Sequence, residues 1–244
     1  MIVNSNLFRR AISFIPGIAI IALFAVSPIY AESASAVQKH TQANCIEGKK
    51  KGTCHFINMP LRLRPMKRGF FRTGDKLIFA DSHGKQWLAP KNTITDGASI
   101  PEVFIPIIGS RTHKNYINAA SVHDAYCGEE NSHLPQHHSK SWQDTHRMLF
   151  DALLVNGTPE IMAKIMYAAV YLGGPRWNDN KRSLKKVSKK LLLQEMKWCQ
   201  KWIKKSNPSQ QRIEKWMKAR EWKLQNGTPK EPNWAKLLNE RAPE

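Results

Sequence analysis

Four residues carry the side chains best suited to chemistry: Asp96, His123, Asp124 and His146. Asp96 lies in Thr95-Asp96-Gly97-Ala98-Ser99-Ile100-Pro101, and His123 and Asp124 are adjacent in the chain. Imidazole and carboxylate together suit a divalent cation of borderline softness, with His123, Asp124 and His146 as ligands and Asp96 as a further donor. The same groups can act without metal, a carboxylate holding a histidine that takes a proton from water. A plainer reading stands beside both. A histidine on an apolar helix face commonly bonds a buried carboxylate, which would make His146–Asp124 a polar pair inside the core. Asp96 could then simply hold the turn at Gly97 through an Asx bond. His133, His137 and His138 read as a solvated loop.

These residues need elements to position them. The stretch from Phe70 to Pro90 runs KLIFAD, then Ser82-His83-Gly84-Lys85, then QWLAP, the pattern of a β-hairpin. An extended piece at Thr93–Thr95 follows, and Gly97 and Pro101 argue against a helix there. Helical spacing then takes over. Asn115–Cys127 forms a first helix with Ile117, Ala120, Asp124 and Cys127 on one side. Trp142, His146, Leu149 and Leu153 mark a stripe on a second. A third opens at Thr158-Pro159 and closes at Gly173-Gly174-Pro175. Its IMAKIMYAAVYL is apolar nearly all round and reads as the central core helix. The fold class is therefore α+β, a small N-terminal sheet followed by a helical core.

The order WLAP…TDGASIP, AASVHDAYC, THRMLFDAL and MYAAVYLGGPRW resembles family 1353 of the domains of unknown function. The resemblance covers about residues 70–177 and implies a small α+β domain, strands first, with no established activity. Two departures stand out. The family has His-Asp-x-x-Tyr where this chain has His123-Asp124-Ala125-Tyr126-Cys127, and His146 falls where the family offers Asp. Secreted phospholipases A2 are similar at one local point, a helical His-Asp pair, but this chain lacks their cysteine doublet and calcium loop.

Residues 1–31 combine Arg9 and Arg10 with an apolar run from Ala11 to Val26, followed by small residues at Ala31 and Ala34-Ser35-Ala36. This is the pattern of a secretory signal peptide, with an uncleaved membrane anchor as the alternative, and the expected location is periplasmic or secreted. In an oxidising compartment the four cysteines pair. Of the three possible connectivities, Cys45–Cys54 across residues 46–53 with Cys127–Cys199 is expected. Residues 32–69 form a polar lead-in that holds the first loop.

The 244-residue chain has 38 Lys and Arg against 19 Asp and Glu, and 41% hydrophobic residues, enough for a core. Removing the leader leaves 36 basic against 19 acidic residues. Residues 181–244 hold 18 of the former and 6 of the latter, while 32–180 hold 18 and 13. The excess thus sits in the 178–244 extension, which is patterned as helices from Ser183 to Lys205 and from Pro208 to Gly227, with a short final piece at Trp234. Two function classes follow. One is an exported metal-dependent or histidine-based hydrolase. The other is a non-catalytic protein whose 181–244 segment, with Trp198, Trp202, Trp216 and Trp222, docks on an anionic envelope surface of lipid or cell wall. Cytoplasmic nucleic acid is disfavoured by the leader and the lack of a reading motif.

Overall fold

The computed structural model describes residues 54–59, 61–97, 100–109 and 113–239. The expected 1–31 leader lies outside them, as does Cys45, one half of the expected Cys45–Cys54 bridge. Strands come first: β1 His55–Ile57, β2 Leu63–Pro65, β3 Phe71–Thr73, β4 Leu77–Ala80, β5 Gln86–Ala89 and β6 Ile94–Thr95. They form two antiparallel sheets in the orders β1-β4-β5 and β2-β3-β6. The expected hairpin is β4–β5, with Phe79 opposite Trp87. Asp81 organises its turn. One carboxylate oxygen accepts from the His83 and Lys85 amides and the other from the Trp87 indole at 3.0 Å. Gly84 closes the turn at φ 74°, a conformation that favours glycine.

Helices α1 Ile105–Ile108, α2 Lys114–Cys127, α3 Trp142–Val155 and α4 Glu160–Gly173 follow, then α5 Lys189–Ser206, α6 Gln210–Gln225 and α7 Trp234–Asn239. The α+β reading holds. α2 packs on both β5 and α3, α3 on α4, and α4 on α5 and α6. As its all-round apolar sequence predicts, α4 is central: Ala163 and every residue from Ile165 to Leu172 are buried. Tyr126 fastens α2 to the sheet, its ring edge-on to Trp87 and its hydroxyl accepting from the Leu88 amide at 3.1 Å.

The C-terminal extension is built into this core. Leu184, Met196, Cys199, Ile203, Ile213, Met217 and Leu224 are buried. α5 starts at Lys189 rather than Ser183, because Ser188 caps it by accepting from the Leu191 amide. Two carboxylates of α6 answer cations that precede α5 in the chain. Glu214 accepts bidentately from Arg147 on α3 at 2.6 and 2.7 Å. Glu221 meets Arg176 at 3.0 Å and takes both a Nε and a Nη2 bond from Arg182 at 2.8 Å. Arg176 and Arg182 also lie against Trp142, each 4.8 Å from its ring centre. Three of the four tryptophans expected on a docking face are occupied in packing. Trp202 is buried and stacks on Trp216, and Arg220 lies over Trp198 and Trp216 while pairing with buried Glu195. Trp222 is 67% exposed.

The Cys127–Cys199 disulfide does not form. Both cysteines are free, buried thiols. Cys127 ends α2, which packs on the sheet and α3. Cys199 lies mid-way along α5, on the far side of α4. Pairing by elimination assumed that an even cysteine count must be fully bridged, and each thiol has instead found a buried environment of its own.

Candidate metal centre

The site grows from the last turn of α2. Residues four apart share a helix face, so His123 and Cys127 meet side by side, with the thiol 3.3 Å from His123 Nδ1. Asp124, adjacent in sequence, brings a carboxylate oxygen to 3.9 Å from the same nitrogen. One donor atom from each of His123, Asp124 and Cys127 lies within 4.8 Å of the others. The other face of the His123 ring is held by α3. That helix is capped by Ser141, whose hydroxyl accepts from the Asp144 amide, and its buried stripe of Trp142, His146, Leu149 and Leu153 turns His146 inward. His146 Nδ1 stands 2.9 Å from His123 Nε2. Cys127, His123 and His146 thus form a hydrogen-bonded line in which fixing one tautomer fixes the next.

The end of α2 is set by a residue that the sequence reading did not single out. Asn131 is fully buried. Its side-chain oxygen accepts from the Ile94 amide at 2.9 Å, and its nitrogen donates to the carbonyls of Ile94 and Asp124 at 2.7 and 2.9 Å. It therefore ties β6 to the site helix and brings the Thr95-Asp96-Gly97 turn alongside. Gly128 allows this closure, since a Cβ there would come within 2.8 Å of the Asp124 carbonyl and 3.1 Å of the Asn131 nitrogen. The turn itself is held by the Thr95 hydroxyl, which accepts from the Gly97 amide at 3.1 Å. Asp96 is half-buried at the edge of the cluster.

The electrostatics run in two directions along the line. Burial pushes the Cys127 thiol well above its usual range, and the charges of Asp124, Asp96 and Glu129 push it further. Burial holds His146 well below the usual imidazole range, with His123 and Arg176 adding to the effect. The Pro175 carbonyl opposes that shift without meeting hydrogen-bond geometry to Nε2, which has no partner. Nε2 looks onto the Gly174 backbone, where a Cβ would come within 3.2 Å of it and 2.4 Å of the Val170 carbonyl. One end of the line is therefore negative in surroundings and the other excludes positive charge.

The donor set fits a tetrahedral ion of the zinc class. Zinc bonds of about 2.0–2.1 Å to nitrogen and 2.3 Å to sulfur place neighbouring ligands about 3.5 Å apart. The observed 3.3 and 3.9 Å bracket that separation. Metal-bound imidazoles usually give their second ring N–H to an acceptor, and His146 Nδ1 stands where His123 needs one. Of the sequence-predicted residues, the structure brings His123, Asp124 and His146 together with Asp96 alongside. It places His146 behind His123 and puts Cys127, expected in a disulfide, among the donors. The i, i+4 spacing of His123 and Cys127 was the signal that could have found it. Of the three loop histidines, His137 stacks on His138 and His138 on Trp177, so these two are not simply solvated.

The described residues form an α+β domain whose histidine–aspartate helix packs between the sheet and α3. Residues 71–170 match the family model described as Protein of unknown function (DUF1353). Asp96, His123, Asp124, Cys127, Asn131 and His146 all fall inside it. Two proteins of Sinorhizobium fredii are similar. Uncharacterized protein y4iH is 40% identical over 99 residues, 41% of this chain and 38% of that protein. Uncharacterized protein y4jT is 36% identical over 110 residues, 45% of this chain and 30% of that protein. The matched segment thus spans well under half of either relative. No solved structure matches.

Proposed function

We propose that this chain is an exported protein whose 71–170 domain holds a divalent metal of the zinc class and uses it for hydrolysis. The observation that carries the reading is the convergence of His123, Asp124 and Cys127 donors within 4.8 Å. Three protein ligands leave a fourth position for water, and a bound ion supplies the Lewis acidity that makes that water nucleophilic near neutral pH. The chain's own part is to orient His123 through His146, to surround the ion with the carboxylates of Asp124, Asp96 and Glu129, and to offer Asp96 as proton acceptor. A cysteine–histidine nucleophile is the weaker use of the same atoms, because the thiol ends a helix, where the dipole is negative, and lies among carboxylates. Export rests on the apolar, Arg-led 1–31 segment.

The test is metal content together with a panel of ester, amide and phosphodiester substrates, for wild type, His123→Ala and Asp96→Asn. One metal per chain is expected in wild type, with hydrolysis lost in both variants and metal lost only in His123→Ala. A metal-free, inactive wild type would sink the reading.

A second reading concerns the extension. Lys215, Lys218 and Trp222 are exposed on α6, and their spacing puts them along one side of it. A tryptophan among lysines suits the interface of an anionic membrane. Among the described residues no helix is long and apolar enough to cross a membrane. Sedimentation with anionic vesicles should fall on Trp222→Ala; unchanged sedimentation would remove this reading.

A further inference from the structure

Beside the Gly173-Gly174 pair a cleft of about 360 Å³ opens between the end of α4 and the start of α5. Val103, Leu172, Leu184, Val187 and Leu192 give it apolar walls. Its charged lining is Arg176, Lys185 and Lys189 against a single carboxylate, Glu102. Lys185, Lys189 and Glu102 are exposed, whereas Arg176 is 7% exposed. Arg176 donates through its two terminal nitrogens to the carbonyls of Arg182 and Tyr171, and pairs with Glu221. Its Nε–H has no acceptor. Glu221 is shared with Arg182, so two guanidinium groups face one carboxylate. That Nε–H is sealed from solvent, so the accessible charge of the cleft is that of exposed Lys185 and Lys189, set over an apolar wall and backed by the buried guanidinium.

We propose that this cleft binds a single-chain anionic amphiphile, of the fatty-acid carboxylate type. The charged end is read by Lys185 and Lys189, with the buried Arg176 guanidinium behind them, and the chain lies on the apolar wall. The volume is at the small end of ligand pockets, which suits one medium-length chain rather than a two-chain lipid. Gly173 lets the Pro101–Phe104 segment close against the end of α4. A Cβ on Gly173 would come within 2.8 Å of Phe104 and 3.0 Å of Pro101. The site is independent of the metal reading, since none of the three metal donors lines it.

Decanoate titrated calorimetrically into the intact protein tests the proposal, with decanol as the uncharged probe. Saturable one-to-one binding of decanoate is expected, with decanol about tenfold weaker or worse for want of the charge-assisted bonds. The Lys185→Glu/Lys189→Glu variant, altered only at exposed positions, should bind decanoate about tenfold more weakly. Val187→Trp, which fills the cleft from a half-buried position, should abolish saturable binding while circular dichroism stays unchanged. Absence of saturable binding, equal affinity for decanol, or unchanged affinity in either folded variant would each overturn the proposal.

Discussion

Replacing Glu221 with Gln keeps the shape of the side chain and removes its charge. Glu221 is 6% exposed and is the carboxylate paired with both Arg176 and Arg182, the former also nearly fully buried. Removing one partner of a buried ion pair commonly costs about 3–5 kcal/mol, because the charge left behind cannot regain water. Arg182 is partly exposed and keeps its contact with Trp142, so the main penalty comes from Arg176. For a chain of this size each kcal/mol lowers the midpoint by roughly 2–4 °C, so Glu221→Gln should melt about 6–20 °C below wild type. Differential scanning calorimetry at pH 7 reads this directly. Arg62→Gln is the control, since its partner Asp75 and Arg62 itself are exposed, and it should leave the midpoint unmoved. Equal midpoints for Glu221→Gln and wild type would refute the claim that the basic extension neutralises buried cations of the segment before it. The same claim predicts that deleting 181–244 destabilises the rest, so point variants are the sounder probe of that extension.

Four further outcomes follow. Asn131→Ala strips the Ile94 amide and carbonyl of their partner and should cost about 1–3 kcal/mol for each group left buried, read by chemical denaturation. His146→Leu should leave the metal donors in place but weaken zinc affinity about 10–100-fold, measured by competition with a chelating dye. Mass spectrometry after alkylation in denaturant, without reductant, should find Cys127 and Cys199 as free thiols; a Cys127–Cys199 peptide would contradict the structure. Tyr126, Tyr167 and Tyr171 are held above the usual phenol range chiefly by burial. Their unfolded forms lose protons first, so stability is whole below about pH 10 and falls above it. Melting midpoints from pH 8 to 11 should show that decline, and a flat profile would contradict it.

The hairpin and the three core helices were legible in the sequence, because period-2 and period-3.6 patterns, proline and glycine act locally. Asp124, His123 and His146 were legible as a group for the same reason, each marked by its place on a helix. Cys127 was misread because a cysteine count carries compartment logic but no distances. The α5 boundary was set too early because Leu184 and Val187 continue an apolar stripe, yet the Ser188 cap begins the helix only at Lys189. Asn131 was invisible, since its three bonds join segments 7 and 37 residues away and leave no periodic trace. The extension's role was hidden similarly. Its charge total suggested a solvated surface, whereas Glu214 and Glu221, two of its few acids, make the contacts that bind it to the core.

X-ray absorption at the zinc edge, on the full chain loaded with one equivalent of zinc, tests the central claim most directly. The account predicts one sulfur at about 2.3 Å with nitrogen and oxygen neighbours at about 2.0–2.2 Å, and loss of the sulfur shell in Cys127→Ser. A zinc shell of nitrogen and oxygen alone in the wild type, or a sulfur shell that survives Cys127→Ser, would contradict it.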